Sequence, residues 1–356
     1  MAGPIDDLGS ATLQAWGLRG IGEVRAGDDL AQHVLDGAAA TDVALVDGDV
    51  VVVSSKIVSK ALGLTVETSS RDDVTGGQTV RVVAERLTPR GHARIVRSVA
   101  GPVLAAAGVD SSNVALGSVL LLPSDPDAAA RSLRAALAER TGRRIGVVVT
   151  DTMGRPWRDG QVDAALGVAG LVVVDDLRGR SDRYGNPLEV TVRALADEVA
   201  ALGDLVKGKL ADRPAALVRG LADLVTDDDG PGAAALLREG DADWFRLGHL
   251  EAVRTAVGVP PGTPGVDPAP APPGPAAERL ARAVAVACAS PQWSSPARPV
   301  VVDGGVEVPV PADADPAALL ALGALAQRIV ALATAEGIPL EPLPWSPGAP
   351  LRLRTP

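Results

Sequence analysis

The chain of 356 residues holds one cysteine, Cys288, so no internal disulfide forms and no cysteine cage for zinc is available. Its three histidines, His33, His92 and His249, are scattered, without the HExxH spacing of a zinc hydrolase. Aromatic residues make up 2% of the chain although 47% is hydrophobic, so Ala, Val and Leu must build the cores. Positive charge is also short: the net charge is −10 and the pI about 4.9, which argues against general nucleic-acid binding. The N-terminal "MAGPIDDLGS" lacks a basic region followed by an apolar run, so no secretory signal is expected. No apolar stretch is expected to reach the length of a membrane span, and a cytoplasmic protein without membrane partners is the default reading. Only four of the 34 basic residues are lysines. They fall in two clusters, Lys56 with Lys60 and Lys207 with Lys209. A GC-rich genome accounts for the scarcity but not for the placement.

What is present alternates strand-like and helix-like segments, the pattern of an α/β protein. Asp49–Val53, Arg144–Asp151 and Ala215–Leu221 read as buried strands. Helices are predicted from Gly27–Asp29 through Leu35, with an aspartate as N-cap, and over Asp125–Glu139 and Leu188–Val206. From Val257 the chain turns dense in Pro and Gly, which predicts an extended linker. After it, helices are predicted over Ala276–Ala289 and Pro316–Ala335, with a strand near Val300. About eighty residues make a small core, so this segment is expected to dock on the first unit or on a partner. The expected organisation is therefore residues 1–255, a linker over 256–276, and a smaller segment over 277–356.

Polar residues concentrate at three strand-to-loop junctions. These are Ser54, Ser55, Lys56, Ser59 and Lys60; then Asp110, Ser111, Ser112 and Asn113; then Asp151, Thr152, Arg155, Arg158, Asp159 and Gln161. Open α/β sheets bind ligands at such places. Asp110, Asp151 and Thr152 offer the oxygen ligands that a hard divalent cation takes, and lysines and arginines offer charge for phosphate. Each residue also has a plainer reading, since Asp after a strand is commonly a cap or turn former. Asp159, Asp175, Asp176 and Asp182 read first as solvated turn residues, and Asp227–Asp229 as an exposed loop. The segment Gly203–Lys209 fits GxxxxGK, yet Leu210 stands where a phosphate loop needs Ser or Thr and the segment follows a helix. It reads as a helix end whose lysines face the dipole or a nucleotide.

Taken in order, "GIGEVRAGDDLA", "DGDVVVVSSKIVSKALG", "AAAGVDSSNV", "VVVTDTMGRPWRDGQVDAALGVAGL", "DRYGNPLEVTVRALADEVAALGDLVKGK" and "PAALVRGL" resemble the coenzyme F420-0:γ-glutamyl ligase family. The resemblance runs from about Gly17 to Asp229. It implies a mixed α/β ligase domain, and an enzyme that uses GTP and Mg²⁺ or Mn²⁺, with K⁺ a further candidate ion. Such an enzyme joins L-glutamate to F420-0 and then adds more through γ-linkages, as a homodimer. The resemblance makes Asp110 and Asp151 metal ligands and Thr152 the holder of a second metal, with Lys60, Asp110 and Asp151 as the catalytic group. The implied nucleotide site is Ile21, Gly22, Glu23, Val24, Ser55, Lys56, Lys60, Asn113, Lys207, Gly208 and Lys209. There are two departures. Lys209 stands where archaeal members carry an acidic residue near the second metal, and Met153 stands where some members have Asn.

The C-terminal segment resembles a shortened copy of the nitroreductase-like domain fused to the ligase in actinobacterial relatives. "GVPPGTPG" replaces the paired arginines expected to hold flavin phosphate, so FMN is not expected. A flavin-binding or dehydro-F420-0 reductase role for this segment is the alternative reading, and a non-catalytic assembly module is a third.

Overall fold

The computed structural model describes residues 12–88, 91–266, 274–289 and 297–356. The fold divides into two compact units: residues up to Arg71 with Ser98–Arg238, and Asp72–Arg97 with Glu239–Pro356. The expected linker over 256–276 lies partly outside the described residues. Within its described part, Val259 is buried in the core of the second unit.

The first unit is built on a five-stranded sheet. Its strands are β1 (Gln14–Gly17), β2 (Val50–Ser54), β3 (Gly146–Arg155), β4 (Arg158–Ala169) and β5 (Ala215–Arg219). They lie in the order β1-β5-β2-β3-β4. Only β2 and β3 are parallel; the other neighbours are antiparallel. Alternation along the strands divides the side chains between two cores, as a sheet covered on both faces requires. Val51, Val53, Val147, Val149 and Leu217 face three helices: α1 (Leu30–Ala40), α2 (Ser55–Ala61) and α3 (Pro126–Thr141). Val50, Val52, Val148, Ala216 and Val218 face α4 (Leu195–Lys207) and the loops after Leu221. The mixed α/β class expected from the sequence is the one observed.

The aspartate cap expected on α1 forms, Asp29 accepting from the Gln32 N–H, and Asp125 caps α3 in the same way by accepting from the Ala128 N–H. Helix α1 continues to Ala40, beyond the predicted Leu35. The predicted helix over Leu188–Val206 begins only at Leu195. Its first part, rich in the β-branched Val190, Thr191 and Val192, instead supplies the strand Val192–Ala194. That strand pairs with Val174–Asp176 and buries Asp175 beside Arg193 at 3.4 Å, so Asp175 is not the solvated turn residue expected. Gly203 shows why α4 can lie so close to the sheet. A Cβ there would meet Val52 Cγ1 at 2.6 Å.

The second unit contains the neighbouring strands Thr79–Thr88 and Gly91–Ser98 and three helices: α5 (His249–Ala256), α6 (Ala276–Cys288) and α7 (Pro316–Ala335). A four-stranded antiparallel sheet follows the order β6 (Val300–Val302), β7 (Gly305–Val308), β9 (Leu351–Arg354), β8 (Glu341–Pro342). Leu280, Val284, Val306, Leu325, Ile329 and Leu353 form its core. Buried Glu336 receives a two-pronged ion pair from Arg282, with Arg254 3.7 Å away. The expectation that no apolar stretch reaches span length is corrected here. Helix α7 has 20 residues and an 18-residue stretch of mean hydropathy 1.7, enough by length and composition alone. Its apolar character has a use within the unit, because Leu322, Leu325, Ile329, Leu332 and Ala333 pack into the core.

Candidate active site

A cavity of about 720 Å³ opens in the first unit at the carboxyl ends of β2 and the buried half of β3. Five separated stretches line it: Ile21–Val24, the start of α2, Asn113–Ala115, the β3–β4 hairpin, and the chain from Asp204 to Pro214. Of the nucleotide residues predicted from sequence, Ile21, Gly22, Glu23, Val24, Lys56, Lys60, Asn113, Lys207, Gly208 and Lys209 all line it. So do Asp151 and Thr152. Ser55 and Asp110 are not in the lining and reach it through Asp151 and Lys56.

The first predicted junction is a helix rather than a loop. Strand β2 ends at Ser54, whose hydroxyl accepts from the Lys56 N–H and starts α2. Ile57 and Val58 are buried in the core below. Lys56 and Lys60 lie four residues apart and therefore share one helix face. Each ammonium is held by one carboxylate. Lys56 Nζ lies 2.6 Å from Asp110 Oδ2 and also donates to the Ser112 hydroxyl. Lys60 Nζ donates to Glu23 Oε1 at 2.6 Å, and Glu23 is two-thirds exposed.

Asp110 is fixed by a two-bond bridge to Leu120, through its N–H to the Leu120 carbonyl and its carbonyl from the Leu120 N–H. Burial pulls its carboxyl upward. Lys56 and the Ser112 N–H and hydroxyl outweigh that and hold it below the usual carboxylate range. Asn113 follows in the left-handed region at φ 56°, a conformation Asn tolerates better than most residues.

Asp151 and Thr152 also differ from the predicted junction. They lie inside β3, which continues as a long hairpin through the turn at Pro156–Trp157 into β4. The parallel register sets Ser54 against Thr150, which brings Ser55 beside Asp151. Burial pushes the Asp151 carboxyl up to about 6, against hydrogen bonds from the Thr152 N–H and the Ser55 hydroxyl. The charges of Asp163 and Asp110 add to that rise.

The other face of β3 carries a group not expected from sequence. Thr152 stands opposite Asp163 in register. Asp163 is buried, and its two oxygens accept from Thr150 Oγ1 at 2.8 Å and Thr152 Oγ1 at 3.0 Å. Lys207, at the last turn of α4, donates to Asp163 Oδ2 at 2.6 Å and to Thr150 Oγ1 at 2.8 Å. Lys209 reaches Thr152 Oγ1 at 3.4 Å from the exposed side. The GxxxxGK segment is thus a helix end, with Leu210 almost fully exposed. Asp163 was detectable only as a lone acid in an apolar strand, because its partner depends on the hairpin register.

A sheet covered on both faces, with acids and ammonium groups gathered in one cleft at its strand ends, is the arrangement in which α/β enzymes hold their ligands. The sequence model of the F420-0:gamma-glutamyl ligase family matches residues 20–220, and the chain belongs to that family. It is 38% identical over 244 residues to the coenzyme F420:L-glutamate ligase of Methanopyrus kandleri, covering 63% of this chain and 94% of that one. The ligase of the same name from Methanothermobacter thermautotrophicus is 37% identical over 249 residues, covering 65% and 97%. That of Archaeoglobus fulgidus is 37% identical over 227 residues, covering 59% and 88%. Every lining residue of the cleft falls inside the family match.

Proposed function

We propose that this chain joins L-glutamate to coenzyme F420-0 at the expense of GTP, with a divalent cation, and repeats the addition through γ-linkages. The observation that carries the reading is the convergence of Asp110, Asp151, Lys56 and Lys60 from three distant stretches at one cleft. The relatives named as coenzyme F420:L-glutamate ligases support the substrates.

The chemistry sets the demands on the site. A carboxylate does not condense with an amine in water unless it is activated. An oxygen of the acceptor carboxylate attacks the γ-phosphorus of GTP and GDP departs, leaving an acyl phosphate. The glutamate amine then attacks the acyl carbon, phosphate leaves, and the nitrogen loses a proton. Bringing a carboxylate against a triphosphate requires cancelled repulsion, so preorganised positive charge supplies most of the rate. Lys56 and Lys60 serve that role from one face of α2, and Lys209 lines the same cleft. Ile21–Val24, Asn113 and Gly208 complete the nucleotide walls, and Ser55 acts from behind them through its hydrogen bond to Asp151.

The donor set suits Mg²⁺ or Mn²⁺ at Asp110 and Asp151. Asp151 is a mostly buried carboxylate whose charge is opposed by two neighbouring acids, an arrangement that a cation relieves. Among the described residues no three acidic, His or Cys side chains form a cage, so water and phosphate oxygens would complete the shell, as is usual for Mg²⁺. The ion supplies charge neutralisation of the transferring phosphoryl group. The second place, at Thr152, fits a divalent ion poorly, because Asp163 beside it holds an ammonium in a pair nearly closed to solvent, whereas the Asp110 carboxyl that holds Lys56 keeps access to solvent.

The test is incubation with F420-0, glutamate, GTP and Mn²⁺, read by mass. Glutamyl increments are expected, together with GTP consumption that requires F420-0. No increment under any nucleotide or metal sinks the ligase reading, and GTP consumption indifferent to the acceptor sinks the acyl-phosphate route.

A further inference from the structure

We infer that the Lys207 ammonium is a resident cation in the second half of the cleft, so that the chain takes up one divalent ion with its nucleotide rather than two. The inference rests on the proposed metal-dependent ligase reading and goes beyond it.

Lys207 Nζ is surrounded by oxygens. It sits 2.6 Å from Asp163 Oδ2 and 2.8 Å from Thr150 Oγ1, as a monovalent cation would among oxygens. Both partners of the ion pair are nearly closed to solvent, with side-chain exposures of 6% and 4%. The other Asp163 oxygen accepts a hydrogen bond from the Thr152 hydroxyl. Asp163, Thr150 and Thr152 would otherwise be an oxygen set for a hard cation, one carboxylate and two hydroxyls. With the ammonium in place, that set is already neutralised.

A divalent ion at the same set would need oxygens at about 2.0–2.1 Å and would be forced against the ammonium. At such separations the repulsion of like charges exceeds any gain from sharing one carboxylate. Moving the lysine away is also costly, because its backbone is fixed. The Gly208 N–H caps α4 on the Asp204 carbonyl, and Arg213 donates to the Lys207 carbonyl at 3.3 Å. Lys209 adds a second positive charge at Thr152 from the open side. Lys207 is therefore a positioning residue: it fixes Asp163, which fixes the Thr150 and Thr152 hydroxyls.

The experiment counts Mn²⁺ bound per full-length chain, by electron paramagnetic resonance and by calorimetry, in the presence of a non-hydrolysable GTP analogue. The wild-type chain is expected to bind one. Lys207→Met frees the Asp163 carboxylate and is expected to bind two. The charge-neutral pair Lys207→Met with Asp163→Asn removes the ligand as well and is expected to return to one, and it keeps the count interpretable where Lys207→Met alone folds poorly. Two Mn²⁺ on the wild-type chain overturn the inference while leaving the ligase reading intact. An unchanged count in a folded Lys207→Met overturns it too. No Mn²⁺ at all removes the metal reading and the inference together.

Discussion

The two lysine pairs of this chain face one cleft and are held in opposite ways. Lys56 and Lys60 project from a seven-residue helix, each against a carboxylate that retains access to solvent. Lys207 is sealed under the cleft against Asp163, and only Lys209 beside it is open. An ammonium paired at the surface is cheap to release, because water and ions replace its partner. A buried ion pair is not, because breaking it strands a charge away from water. On the proposed function, the first pair would exchange a carboxylate for a ligand. Lys207 is built to hold one arrangement.

The largest expected effect tests the rigid side. Lys207→Ala leaves the Asp163 charge buried and uncompensated, which costs about 3–5 kcal/mol and lowers Tm by roughly 10 °C. Lys207→Met with Asp163→Asn recovers most of that loss. Thermal unfolding followed by circular dichroism checks both. A Lys207→Ala protein as stable as the wild type would end the contrast drawn between the two pairs.

The exchangeable side predicts the reverse pattern. Lys60→Ala moves Tm by no more than about 2–4 °C, since a pair whose carboxylate is two-thirds exposed contributes about 0–1 kcal/mol. It lowers the rate of GTP-dependent ligation by about 10²–10³, the usual cost of one preorganised electrostatic group. Lys60→Arg recovers little of it, because a forked guanidinium does not replace a compact ammonium. Full activity in Lys60→Arg would remove the reason for reading the scarce lysines as selected.

The sequence reading reached most of the open side and little of the closed one, for a physical reason. Lys56, Lys60, Asp110, Asp151 and Asn113 were legible because scarce or polar residue types stood next to apolar strand runs. That α2 is a helix was not legible: seven residues are too few for periodicity, and its start depends on Ser54 capping the chain. Asp163 was missed because its meaning lies in pairing. It faces Thr152 across a hairpin whose register includes a bulge between Val149 and Thr150, and no local pattern states that register. The excess length of the predicted helix before Leu195 has a local cause, the β-branched run over Val190–Val192.

A smaller effect concerns Asp151, between the two pairs. Its carboxyl is raised to about 6 by burial, so in the metal-free protein the ionised form is disfavoured in the fold relative to the unfolded chain. For an acid with a raised value, stability is lost as pH rises through the window from about 4 to about 6. Asp151→Asn removes that charge. The metal-free variant is expected to melt a few degrees above the wild type at pH 8, with the gap closing as pH falls toward 4, while ligation is lost. A variant less stable than wild type at pH 8 would show that the Asp151 carboxylate is compensated in the fold.

The smallest effect is the most direct probe of exchange at Lys60. Glu23 is two-thirds exposed and holds Lys60 through a single 2.6 Å contact. Removing its charge with Glu23→Gln costs about 0–1 kcal/mol of stability, so Tm moves by no more than about 2–4 °C. If the phosphates of GTP take over Lys60, Glu23 competes with them, and the variant should bind nucleotide slightly more tightly. The expected change is a KM for GTP lowered about two- to threefold with kcat near wild type, since less than 1 kcal/mol is at stake. Salt should narrow the difference, because the competition takes place between exposed charges. A raised KM would mean instead that Glu23 orients Lys60 toward the nucleotide, and the glutamate would then belong to the fixed part of the cleft alongside Asp163.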